Sequence, residues 1–280
     1  MSARGLTLND VAERLGVHYM TVYRYVRTGR LEARQQGSQW LVREEEFERF
    51  KNSSATSRIG RRASSVESRR SSVERLSARL IAGDEAGSWG IAEEAQVSGA
   101  TAKEIYLELF APAMRTIGEK WAEGAITVAD EHRASVVMYR LVGRMGPQFR
   151  PRGPRIGTII VAAPAGERHG LPVTLGADLL RLEGFDVVDL GADVPADALV
   201  ACALDTNDLM AVSICVTLTE HLDSARDSVH ALRDAAVDVP IVLSGAAVSG
   251  LDAETLGADQ CSTEIEALVG VLRGERVVGD

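Results

Sequence analysis

Hydrophobic positions recur at helical spacing from the first residues of the chain. Leu8, Val11, Ala12 and Leu15 lie three and four apart, Thr7 and Asp10 have the spacing of a capping box, and Gly16 stops the run. The pattern predicts a short helix there and a second helix over Tyr19 to Thr28, with Val22 and Val26 inward and Tyr23, Arg24 and Arg27 outward. Leu31 to Val42 then alternates about Gln36-Gly37-Ser38 like a β-hairpin, and Glu44 to Phe50 reads as a closing helix. Helical periodicity returns from Ser72 to about Phe149. One segment carries Val73, Leu76 and Leu80, and a longer one, containing Pro112, carries Ile105, Leu109, Met114, Ile117 and Trp121. The last begins at Thr127, with Val128, Ser135, Val136 and Tyr139 as its apolar stripe. Together they predict a four-helix bundle. Beyond Arg155 the chain alternates between short apolar strands (Ile156 to Ala162, Val187 to Leu190, Leu209 to Val216, Ile241 to Leu243) and helices (Val173 to Leu182, Ala196 to Leu204, His221 to Ala235, Thr263 to Leu272). That alternation predicts a flavodoxin-like, doubly wound parallel sheet.

The chain is thus expected to be multidomain, α and α/β. Residues 1–50 form a winged helix-turn-helix, 51–72 a flexible linker, 73–150 the bundle and 151–280 the α/β domain. Residues 51–72 contain eight Ser and six Lys or Arg with almost no large apolar side chain, too little to bury against anything. Arg61-Arg62-Ala63-Ser64 in that stretch has the form of a kinase site, but such a composition makes the string by chance, and no function is attached to it. The net charge of −9 is unevenly spread: residues 1–75 hold 15 Lys and Arg against 9 Asp and Glu, and residues 76–280 hold 16 against 31. The positive quarter points to nucleic acid. Apolar runs such as Thr158 to Pro164 fall far short of a membrane span, and no apolar stretch follows Met1, so a cytoplasmic protein with no membrane partner is expected. Cys202, Cys215 and Cys261 stand far apart without C-x-x-C spacing, which argues against a zinc knuckle or a disulfide framework. They read as buried small hydrophobes.

In a helix-turn-helix the second helix enters the major groove, so Tyr23, Arg24 and Arg27, with Arg34 from the hairpin, are the candidate DNA contacts. The segments LTLNDVAERLGV, TVYRYVRTGRLEA and WLV give residues 6–50 a form that resembles the excisionase and MerR-like winged helix-turn-helix family. The chain has His18 where that family often has a capping Ser. The alternative is a helical hairpin used for protein contacts.

Two further places carry chemistry. Glu131 and His132 project toward the stripe of the last bundle helix, and a carboxylate and an imidazole facing an interior need a polar partner, either an internal network or a ligand. Trp121, on a face with Met114 and Ile117, reads by itself as a core residue. In the α/β domain the loop after the first strand, Pro164 to Pro172, is the default ligand site of a doubly wound sheet. It contains Glu167-Arg168-His169, in which the carboxylate can hold one ring nitrogen and leave the other for a metal.

The string Trp121-x9-Glu131-His132 resembles the cap bundle of the CarH and LitR cobalamin-dependent photoreceptors. The resemblance implies that Trp121 covers the upper face of a corrin and that Glu131 hydrogen-bonds the adenosyl ribose. Light-responsive members have a His directly after the Trp. Here Ala122 stands there, leaving the upper cobalt position after photolysis to water or to another group such as His132. The Glu167 loop is similar to the acid-x-His-x-x-Gly motif of cobalamin-binding domains, which implies His169 as the lower cobalt ligand. By the same resemblance Ser213 in VSICVT, and Ser244, Gly245 and Ala246 in LSGAAVSG, line the channel for the displaced nucleotide tail. Pro172, Cys215 and Ser244 depart from the motif's usual residues.

The whole resemblance implies a transcription regulator, not an enzyme. Adenosylcobalamin would hold a dark homo-oligomer, a tetramer, on double-stranded operator DNA, and light would release it. Three alternatives stay open: a regulator that senses cobalamin without light or adds a bilin such as biliverdin, a corrinoid methyl carrier, and a flavodoxin-like or response-regulator sheet with no corrinoid.

Overall fold

The computed structural model of the chain describes residues 6–15, 22, 26, 31–36, 39–47, 67, 69–150, 153–263 and 269–270. It divides into two compact units, Met1–Ser71 and Ser72–Asp280.

In the first unit strand β1 (Leu6–Thr7) leads directly into helix α1 (Leu8–Leu15). The capping box is present: the Thr7 backbone N–H donates to Asp10 Oδ2 at 2.8 Å, and the Asp10 N–H donates to Thr7 Oγ1 at 3.2 Å. Strands β2 (Arg34–Gln36) and β3 (Gln39–Val42) pair antiparallel as the alternation predicted, and β1 adds to the free side of β3. A two-residue strand is too short to leave an alternating pattern, so β1 was not visible in the sequence. Leu6, Leu8, Val11, Val22, Leu31, Val42 and Phe47 close one small core. Arg34 is exposed on β2. Of the predicted second helix only Val22 and Val26 are described, both helical, with Val22 buried; Tyr23, Arg24 and Arg27 lie outside the described residues.

Helix α2 (69–81) crosses the boundary into the second unit and starts inside the stretch expected to be linker. Helices α3 (Glu85–Val97) and α4 (Ala102–Ile105) follow, then a π-helical turn (Tyr106–Phe110), α5 (Ala111–Ala122) and α6 (Val128–Met145). Leu76, Leu80, Ile105, Leu109 and Ile117 are buried together, as their spacing predicted. Helix α6 buries a different face from the one its sequence predicted. Its buried residues are Ala134, Val137, Met138, Leu141, Val142 and Met145, whereas the predicted stripe is open: Val128 is 54% exposed, Val136 53% and Tyr139 43%. Both stripes have helical spacing, and a period cannot say which of two apolar faces meets the core. Trp121 is likewise 45% exposed and is no core residue.

The sheet that follows is parallel, with strands β4 (Thr158–Ala162), β5 (Asp186–Asp189), β6 (Leu209–Cys215), β7 (Ile241–Ser244) and β8 (Gln260–Ser262) in the order β5-β4-β6-β7-β8. Helices α7 (Gly170–Leu182), α8 (Ala196–Asp205) and α9 (Leu222–Asp234) connect them. Strand β8 was not predicted, and of the expected final helix only residues 269–270 are described. Cys215 is buried as expected, but Cys202 and Cys261 are only half-buried, and all three are free thiols. No helix among the described residues is long and apolar enough to cross a membrane.

Helix α7 belongs to two cores at once. Val173, Ala177 and Leu180 pack on the sheet, while Leu171 and Leu179 join the helical cluster. A buried polar link adds to that seam: Tyr106 Oη donates to Asp178 Oδ2 at 2.9 Å, and Arg181 pairs with the other oxygen of Asp178 at 2.8 Å. Such a carboxylate is tolerable inside because both oxygens are engaged. Whatever α7 carries at its N-terminus is therefore placed by the helices and the sheet together.

Candidate functional site

The strand order reverses between β4 and β6, so the loops leaving those two strands diverge and open a crevice at the carboxyl end of the sheet. His169 sits there as the N-cap residue directly before α7. Its ring Nδ1 lies 2.5 Å from Glu167 Oε1, and its backbone N–H donates to the same oxygen at 3.1 Å. The other oxygen of Glu167 accepts the backbone N–H of Thr217 at 2.8 Å and of Leu218 at 3.1 Å, both in the loop after β6. One fully buried carboxylate thus ties the two diverging loops to the imidazole. Burial would raise the Glu167 pKa, but the hydrogen bonds from His169, Leu218 and Thr217 outweigh it and bring it down to about 2. An ionised carboxylate only accepts, so Nδ1 must carry the proton and the lone pair of the neutral ring is at Nε2. The hydrogen bond that His169 donates to Glu167 raises the His169 pKa; burial opposes it, and the charges of Glu167, Glu131 and Glu220 reinforce it.

Further contacts fix this loop. The Gly166 N–H donates to Asp193 Oδ1 at 2.7 Å, and the Asp193 N–H donates back to the Glu167 carbonyl at 2.8 Å. Thr217 adds a hydroxyl that, among the described residues, has no hydrogen-bond partner although its oxygen is buried.

The predicted tail residues lie along the neighbouring strands. Ser213 is inside β6, and its hydroxyl stands 3.3 Å from that of Ser244, the last residue of β7. Cys215 shares that side of the sheet, and burial pushes its thiol up to about 11. Gly245 has φ +98°, and a Cβ there would come 2.3 Å from the carbonyl oxygen of Val216. Only glycine fits where the β7 loop crosses that carbonyl.

The helical half supplies the opposite wall. Along α6, Val128, Glu131, His132, Ser135, Val136 and Tyr139 lie on one side, away from the buried stripe. The Glu131 carboxylate accepts from Ser135 Oγ at 2.7 Å and meets His132 Nδ1 at 2.7 Å. The two residues that sequence reasoning assigned to an interior are therefore on an open face, with His132 74% exposed. Ser135 stands one helical turn from Glu131, so its partnership was readable from the i, i+4 spacing. The backbone donors Thr217 and Leu218 were not, because any residue supplies an N–H. An open groove of about 400 Å³ between α2 and α3, lined by Arg75, Arg79, Gly87, Gly90 and Glu94 among others, contains none of these groups.

Such a constellation fits a flat, largely apolar ligand carrying a metal. One imidazole nitrogen is free for coordination with its tautomer held from behind. A small-residue strip runs down the sheet below it, and an unfilled apolar face with one carboxylate lies opposite.

Comparisons with known proteins agree. Residues 72–145 and 157–272 each match a family model described as a B12 binding domain, and residues 6–55 match one described as a helix-turn-helix domain. Trimethylamine corrinoid protein 1 of Methanosarcina acetivorans is 26% identical over 174 residues, which cover 60% of this chain and 80% of that protein. Trimethylamine corrinoid protein 2 of the same organism is 27% identical over 174 residues, 60% of this chain and 79% of that one. Among solved structures, the monomethylamine corrinoid protein of Methanosarcina barkeri aligns with a TM-score of 0.63 at 22% identity, over 71% of this chain and 96% of that one. That last likeness is one of fold. The chain carries a helix-turn-helix domain and, after it, a cobalamin-binding module.

Proposed function

We propose that this chain is a cobalamin-dependent transcription regulator whose assembly on operator DNA responds to light, and that it is not an enzyme. The observation that carries the reading is the union of a helix-turn-helix domain with a cobalamin-binding module on one chain. A carrier that only presents a corrin to an enzyme has no use for a DNA-binding head.

Each site residue has a part in this reading. His169 would hold the cobalt through Nε2, with Glu167 fixing the tautomer that leaves that nitrogen free. Ser213, Ser244 and Gly245 receive the nucleotide tail. Trp121, Val128 and Val136 cover the upper face, and Glu131, steadied by Ser135 and His132, accepts a hydrogen bond from the hydroxyls of the upper group. Adenosylcobalamin supplies a cobalt–carbon bond that visible light breaks. The residues that would meet the upper group are Trp121, by packing, and Glu131, by a hydrogen bond, so a differential interaction of that group with the helical wall would be the means by which light changes the wall's position. A dark homo-oligomer, a tetramer, then presents several winged domains to one duplex. Each winged domain has few contacts of its own, so affinity depends on their effective concentration.

A second reading, a corrinoid methyl carrier, is favoured by the names of the curated relatives. One experiment separates the two. Full-length protein reconstituted with adenosylcobalamin in darkness is tested against the duplex upstream of its own gene, by gel shift and by size-exclusion chromatography, before and after green light. A salt-sensitive dark complex and a larger dark oligomer, both lost on illumination, are expected. DNA binding that needs cobalamin but ignores light would replace the light signal with cobalamin itself. Failure to bind DNA in any state, with methyl transfer to an acceptor enzyme, would establish the carrier.

A further inference from the structure

Tyr139 stands where the helical wall meets the His169 loop. It is the last residue of the open α6 stripe, and its hydroxyl reaches the first residue of α7, directly after His169. A Cβ built on Gly170 would lie 2.5 Å from Tyr139 Oη and 3.5 Å from the Cβ of Ala192. Gly170 is helical with an ordinary backbone, so no unusual torsion demands glycine there. The phenol does. Among the described residues Tyr139 Oη has no hydrogen-bond partner, and the carboxylate of Asp189 disfavours its ionised form. Partial burial and that carboxylate both raise the Tyr139 pKa, so the oxygen stays protonated and remains a donor. The helix itself is held by its other face, so this hydroxyl contributes little to the fold.

We propose that Tyr139 is a binding residue for the rim of the corrinoid: its O–H, held over Gly170 beside the axial His169, donates to one of the amide side chains that edge the ring, and Gly170 is the residue that leaves room for it. The inference rests on the cobalamin reading of the site. It adds a contact that neither the Trp121 and Glu131 wall nor the His169 loop provides, placed at the junction where those two walls meet. An amide carbonyl suits it because a phenol donor in a partly dry place gains most from a strong neutral acceptor.

The test uses the full chain and four proteins: wild type, Tyr139→Phe, Gly170→Ala and the double variant. Each is titrated in darkness with hydroxocobalamin and with adenosylcobalamin, followed by visible absorbance, and each is melted without ligand. Tyr139→Phe is expected to weaken both ligands roughly five-fold, the worth of one neutral hydrogen bond, with the ligand-free melting temperature unchanged. Gly170→Ala is expected to weaken binding further, because its methyl displaces the phenol. In the double variant the methyl should cost almost nothing beyond Tyr139→Phe, since the ring carbon that remains is 3.7 Å from the new Cβ, an ordinary contact. Unchanged affinity in Tyr139→Phe would overturn the proposal and leave the cobalamin reading intact, as would a Gly170→Ala penalty equal in both backgrounds. Wild-type protein that folds but binds neither corrinoid would overturn both.

Discussion

The two walls of the candidate site are finished to different degrees. On the loop side Glu167 receives four hydrogen bonds between 2.5 and 3.1 Å and leaves no surface to solvent. On the helical side Trp121, Val128, Val136 and Tyr139 leave between 43% and 54% of their surface open. The loop is preorganised, so the cost of placing His169 is met in folding rather than on binding. The helical wall leaves its apolar area open, and the part of it that a ligand covered would be the part through which that ligand could pull. Helix α6 shows the contrast within one element, with one apolar stripe inside and the other out.

Substitutions along α6 break the comparison most directly. Leu141→Ala and Met138→Ala, on the buried stripe, are expected to cost about 2–5 kcal/mol of unfolding free energy, while Val136→Ala on the open stripe should stay within about 0.5 kcal/mol, both read by denaturant titration of the ligand-free protein. Equal costs would mean that the open stripe is covered in solution. Next comes Glu167→Ala, which strands the His169, Thr217 and Leu218 donors; a loss of about 3 kcal/mol is expected. The gentler Glu167→Gln should fold and lose corrinoid affinity by about 10–100-fold, measured by absorbance titration.

His169→Ala sharpens the contrast from the other direction. Its melting temperature should match wild type, but the nitrogen-ligated cobalt spectrum should be absent. An unchanged spectrum would remove His169 from the metal. Trp121→Ala is expected to leave the ligand-free melt untouched and to weaken dark adenosylcobalamin binding roughly ten-fold, the worth of reburying part of a large apolar side chain. A modest effect belongs to the cap of α6: Thr127 accepts from the Asp130 N–H at 3.2 Å, and Thr127→Ala should lower the melting temperature by about 2–4 °C.

Much of this was legible in order and kind. The Thr7 and Thr127 caps were readable because a capping box is local, written in residues three apart. The alternation beyond Arg155 was readable because a parallel strand is buried on both faces and declares itself as a short apolar run. His169 and Glu167 could be singled out by spacing alone, since an acid two residues before an imidazole can fold back on it. Strands β1 and β8 escaped, being two and three residues long.

What the order of residues could not settle is which neighbours each side chain meets. Val136 and Val137 are adjacent, equally apolar and both on a helical stripe, yet one is open and the other buried. The choice is made by Leu80, Ile105 and Ile117 arriving from other helices, a many-body packing outcome that no local period encodes. In the same way the sequence offers Glu167 a partner in His169, but only the topology of the sheet brings Thr217 and Leu218, fifty residues later, to the other oxygen. Local spacing determines helices, caps and the Glu167–His169 pair because those interactions close within one or two turns. Tertiary structure decides burial and the completion of the site, because both depend on surfaces that meet only once the chain has folded.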